Sequence, residues 1–187
     1  MSTTPNPGTG PENPHDGDAG RPDVELPADL EIPDDLSSLT APKDPELAVL
    51  ITQVADAEAL AAACTLADLD VDAAPTPIGA LAVLRSTAGE VPARAAAAVS
   101  QLVRGVPLVL VTRTSGQLAA VRYQDGQPDG ELAPGLVLGG APEALEDLVT
   151  GQVTVADLPG VVPSSSIGKF KAMRMLTGAA RKARKQK

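Results

Sequence analysis

The order of apolar segments predicts an α+β chain: a ferredoxin-like βαββαβ two-layer sandwich with extra C-terminal strands. A disordered acidic N-terminal tail should precede it and a basic C-terminal helix should follow it. Three observations carry this reading. Between residues 46 and 112, runs with period two alternate with Ala-rich runs in the order β-α-β-β-α-β. Leu47-Ala48-Val49-Leu50 recurs as Leu81-Ala82-Val83-Leu84, and each copy leads into an Ala-rich segment and another strand, as in a duplicated half-domain. Charge falls into three zones: −8 over residues 1–45, −9 over residues 46–168 and +8 over residues 169–187, which hold no acid.

Taken in order, residues 46–54 read as a strand apolar on both faces, as in a buried position. Asp56 is placed to cap a helix whose one face carries Leu60, Cys64 and Ala67. Leu69, Val71 and Ala73 form a second strand, closed by Pro75-Thr76-Pro77, and residues 79–84 a third. Residues 90–104 make a second helix, with Pro92 near its start and Gly105 just past its end. The fourth strand, residues 106–112, is the most hydrophobic. Ser115-Gly116 signals a hairpin into residues 117–123, and Asp125-Gly126 a further turn. Residues 135–138 read as one more short strand, and residues 142–149 as a short helix ended by Gly151. These later elements should extend the sheet beside the fourth strand.

The domain boundaries follow the composition. Residues 1–44 form an acidic Pro/Gly-rich tail, and nine of the 18 prolines fall in residues 1–45, where few large apolar side chains offset chain entropy. Within it, Val24, Leu26, Leu30, Ile32, Leu36 and Leu39 alternate with acids, a pattern that reads first as a solvated linker. Residues 45–160 form the α+β domain, and residues 161–187 a Ser-rich linker and basic amphipathic helix.

Several function classes drop out. His15 and Cys64 are the only residues of their kinds, so neither a His/Cys metal site nor a disulfide within the chain can be built. A Cys-His or Ser-His-Asp pair would need His15, which lies in the tail. No apolar run approaches the roughly 20 residues of a membrane span, and the polar, Pro-rich start does not read as a signal peptide. The expectation is a cytoplasmic protein without cofactors. Tyr123 and Phe170 are the only aromatics, which speaks against a sheet that stacks several bases.

Candidate sites resolve mostly into structural readings. Asp68, Asp70 and Asp72 would share one strand face, but an EF-hand loop fails at Ala73 and Gly79, leaving charge on a solvated edge strand. Ser164-Ser165-Ser166 before Gly168-Lys169 has the wrong spacing for a phosphate loop, and a serine there should cap the last helix. Gly139-Gly140 reads as a turn, and Cys64 as an inert buried thiol.

The last segment is the most informative. Ile167, Phe170, Met173, Leu176, Ala180 and Ala183 recur at spacings of three and four, a stripe whose first half could pack on the domain while the basic end projects, or which could itself bind an anionic membrane, nucleic acid or an acidic groove. Lys169, Lys171, Arg174, Arg181, Lys182, Arg184, Lys185 and Lys187 supply the positive charge and are the candidate polyanion- or partner-binding residues. The function expected is that of a non-enzymatic interaction or regulatory protein. Its basic helix would dock on nucleic acid, a ribonucleoprotein surface or an acidic protein surface. The alternative is a small-molecule-sensing regulatory domain working as a homodimer, by analogy of fold.

Overall fold

A computed structural model describes residues 43–185 of this chain, with side chains as far as Gly178. The acidic tail, apart from Lys43 and Asp44, lies outside the described residues, as does Lys187.

The apolar runs sort themselves by face. In β1 (Leu47–Ile51), Ala48 and Leu50 belong to one core, and Leu47, Val49 and Ile51 to another. A strand apolar on both sides must be covered on both sides, which places it inside a sheet. β1 pairs antiparallel with β3 (Leu81–Leu84) and with β4 (Leu108–Thr114). β2 (Val71–Ala74) pairs with β3 through Asp72 opposite Val83. β5 (Gln117–Gln124) and β6 (Gln127–Leu132) continue beyond β4, and the two-residue β7 (Val162–Pro163) lies beyond β2. The result is one antiparallel seven-stranded sheet in the order β6-β5-β4-β1-β3-β2-β7.

Both hairpins after β4 turn on two residues with positive φ: Ser115 at 49° and Gly116 at 78°, then Asp125 at 50° and Gly126 at 88°. This is the type I′ geometry whose twist matches that of the strands it joins. The sequence signals both turns but not β6 itself. Its residues, Gln-Pro-Asp-Gly-Glu-Leu, lack apolar alternation, as suits a strand at the outer edge, where Pro and charge are tolerated.

Two helices cover one face. α1 (Ala57–Leu66) starts at Asp56, whose carboxylate accepts from the Glu58 N–H at 3.0 Å. α2 (Val91–Leu102) buries Ala95, Ala96 and Val99. Ser100 is fully buried in that helix, donates to the Ala97 carbonyl and accepts from the Gly126 N–H at 2.8 Å, so it ties α2 to the second hairpin. Four consecutive buried residues of α1, Leu60 to Ala63, include three alanines, and the facing strands contribute Ala48, Ala73 and Ala82. Small side chains on both surfaces let α1 and the sheet close on each other, and Tyr123 adds an aromatic ring to the same core.

The opposite face is covered as well, so the two-layer expectation is corrected to three layers. After α3 (Pro134–Gly139), α4 (Glu143–Thr150) sets Leu145, Leu148 and Val149 against Val49, Leu81, Val83 and Val111. Gly151 ends α4 in the left-handed conformation, and Arg113 on β4 donates to the Val149 carbonyl at 2.7 Å. That cation lies where the helix carbonyls leave partial negative charge. Two element readings change. Residues 135–138 are helical, because Pro134 occupies the first turn and a four-residue apolar run has no period to separate strand from helix. The added elements also extend the sheet at both ends, since β7 lies beside β2.

Candidate functional site

The two segments singled out in the sequence, the Asp68–Asp72 region and the Ser-rich linker, meet at one end of α1. Asp68 follows α1 with φ +55° and so leaves the strand face that the alternation suggested. Asp70 is exposed. Asp72 lies in β2, and its side chain is only 12% exposed. The Arg85 guanidinium holds it with two donors, Nε to Oδ2 at 2.9 Å and Nη2 to Oδ1 at 2.6 Å. This corrects the solvated-edge reading: β7 covers the outer side of β2, and Asp72 is a buried, paired carboxylate. Arg85 titrates higher than an ordinary guanidinium, mainly through its hydrogen bond to Asp72.

The serine expected to cap the last helix does something else. Ser164, in the 3₁₀ turn Ser164–Ser166, is 2% exposed. Its hydroxyl donates to the Leu69 carbonyl at 3.0 Å and accepts from the Val71 N–H at 2.9 Å. Its own carbonyl accepts from the Thr65 hydroxyl at 2.9 Å. Ser164 thus joins the chain before the last helix to the end of α1 and the start of β2. Ser165 and Ser166 are exposed, and Ser166 donates to the Pro163 carbonyl at 2.7 Å. An open cleft of about 350 Å³ lies here, lined among others by Asp68, Asp70, Ser165 and Lys169.

α5 (Lys169–Lys185) follows Gly168, whose carbonyl accepts from the Ala172 N–H at 3.0 Å. Ile167 and Ala172 are buried, and Met175 packs against the same core. Lys169 pairs with Asp68 beyond the end of α1, and Lys171 pairs with Glu58 in its first turn at 3.1 Å. One lysine therefore reaches toward each end of α1. Both pairs are exposed and each contributes at most about 1 kcal/mol. The buried residues hold the seat.

Of the apolar stripe whose first half could pack on the domain, Ile167 is buried and Leu176 half-buried, but Phe170 and Met173 are not. Phe170 is 84% exposed and Met173 58% exposed. The seat uses Ala172 and Met175 instead, about half a turn away. A small residue allows closer approach of two helices than Phe would, so burial selected Ala172 and turned Phe170 outward. Phe170, Met173 and Arg174 then share the outer face. Arg174 has no ion partner among the described residues.

Of the eight basic candidates, Lys169 and Lys171 bind the domain's own acids, and Arg174 faces solvent. Arg181, Lys182, Arg184 and Lys185 continue the same helix. Cys64 is fully buried in α1, and burial pushes its thiol up to about 12, as expected of an inert thiol. Among the described residues, no three His, Cys, Asp or Glu side chains are grouped to hold a metal ion, and no helix is long and apolar enough to cross a membrane. Comparison with protein-family models, curated proteins and solved structures found no match for this chain.

Proposed function

We propose that this is a non-enzymatic interaction protein of the cytoplasm whose helix α5 docks on a polyanionic partner, a nucleic acid or ribonucleoprotein surface before an acidic protein surface. One observation carries the reading. Among the described residues, α5 is fastened to the domain by Ile167 just before it and by Ala172 and Met175 in its first two turns, with Lys169 and Lys171 paired beside them. It then continues as helix to Lys185 with Arg181, Lys182, Arg184 and Lys185 and no acid. A helix anchored at one end and basic at the other presents charge on a rigid support, which suits phosphate contacts.

The βαββαβ stretch is read as a ferredoxin-like unit enlarged at both edges, supported by the contiguity of β4, β1, β3 and β2 within the sheet. A ligand-sensing dimer remains the second reading. It is the weaker one, because α4 occupies the sheet face opposite α1, where a second copy would pack.

The test is a salt series with the whole chain and with a chain ending at Gly178, which keeps the seat of α5. The whole chain should bind a fluorescein-labelled 12-nucleotide RNA at 50 mM salt, with affinity falling steeply toward 200 mM. The shortened chain should lose most of that binding. Equal binding by both chains, or by neither, would overturn the proposal.

A further inference from the structure

The outward turn of Phe170 has a chemical consequence. An apolar ring left 84% in water beside Met173 and Arg174 is poorly used by folding alone. The helical period brings positions 177, 181 and 184 to the same face as Phe170, and these hold Thr, Arg and Arg. One aromatic residue at the base of a helix is thus followed on the same face by arginines, with position 181 about 10 Å along the axis from Arg174.

We infer that Phe170 is a base-stacking residue for single-stranded nucleic acid, with Arg174 and the arginines beyond it tracking the phosphates. This rests on the polyanion reading above and names its partner more narrowly. A helix lying on a lipid surface needs large apolar side chains along its length, and here they end at Leu176, with only Ala180 and Ala183 after it. A helix seated in a protein groove repeats its apolar anchors at one-turn intervals, whereas the position seven residues after Phe170 is Thr177. In a duplex the base faces are already stacked on each other, so an exposed ring finds a partner only on an unpaired base. Charge complements the assignment: Lys169 and Lys171 cover Asp68 and Glu58, reducing the repulsion a phosphate would meet beside Phe170.

The experiment uses the full chain and two fluorescein-labelled probes of equal charge, a 12-nucleotide oligouridylate and a 12-unit abasic strand. Wild type should bind the uridylate at least about fivefold more tightly than the abasic strand, in line with the stacking gained per base. Phe170→Ala should abolish that difference while leaving the salt slope unchanged. Phe170→Trp should keep it and, in a chain with no other Trp, show fluorescence quenching on adding the uridylate but not the abasic strand. Equal affinity of wild type for the two probes would overturn stacking while leaving the polyanion reading standing. So would loss of binding by Phe170→Ala only on vesicles containing 30% anionic lipid. Failure of wild type to bind either probe would overturn both.

Discussion

Arg85 grips Asp72 diagonally across the β2–β3 ladder, two residues beyond Val83 of the Asp72–Val83 pair. Asp72 is nearly buried, while Arg85 is 42% exposed. The pair is therefore asymmetric: solvent can replace the aspartate for the arginine, but not the arginine for the aspartate. Arg85→Ala should destabilise the domain by about 1–3 kcal/mol, since it strands a buried carboxylate. Asp72→Ala with Arg85→Ala should cost less than the two single changes added together. Urea unfolding of the four proteins gives the coupling directly, and a value near zero would show that the grip contributes nothing.

Ser164 joins Leu69 and Val71 through one hydroxyl. Ser164→Ala would leave two backbone groups without that partner and should lower stability by about 1–3 kcal/mol. Ser165→Ala and Ser166→Ala, both at exposed positions, should stay within about 0.5 kcal/mol of the parent. Equal effects at all three positions in thermal melts would contradict the assignment of Ser164 as the joining residue.

Cys64 gives the chain a pH dependence of stability with a definite sign. Its folded pKa is raised to about 12 by burial, against 9.0 for an ordinary thiol. Its contribution is fully present below about pH 9 and is lost as pH rises toward 12, because only the unfolded chain releases the proton in that window. The slope approaches about 1.4 kcal/mol per pH unit. Urea midpoints measured from pH 8 to 10.5 should fall less steeply for Cys64→Ala than for the parent. In native conditions at pH 8, iodoacetamide should label the thiol only after denaturant is added.

The two faces of α5 should respond oppositely to substitution. Phe170→Ala should leave stability within about 0.5 kcal/mol of the parent. Ala172→Asp would bury an unpaired charge against α1 and should release the helix from its seat. Amide exchange reads this as lost protection from position 169 onward while the sheet stays protected. Equal losses for the two variants would mean that the buried and exposed faces are misassigned.

Much of this architecture was legible before any coordinates. Period two in β1 to β4, Asp56 ahead of α1 and the two Gly-containing hairpin turns are local signals, set by backbone sterics and by which face must leave water. β6 and α3 were not legible as they are. The first lies at an edge and needs no apolar face; the second is too short to show a period. The basic run from Lys169 was equally plain, because charge excess is additive along a chain.

What the sequence determined by itself is therefore the alternation of strands and helices, the absence of His and Cys clusters and the location of the positive end. Tertiary structure alone decided the pairing of Asp72 with Arg85, the burial of Ser164 rather than its neighbours, the third layer built by α4 and the outward face of α5. Each depends on contacts between residues distant in the chain. A helix with apolar side chains on more than one side can bury only one of them. In α5 close packing against α1 favoured the small Ala172 over the large Phe170, and no period along the sequence reveals which of two apolar faces will fit.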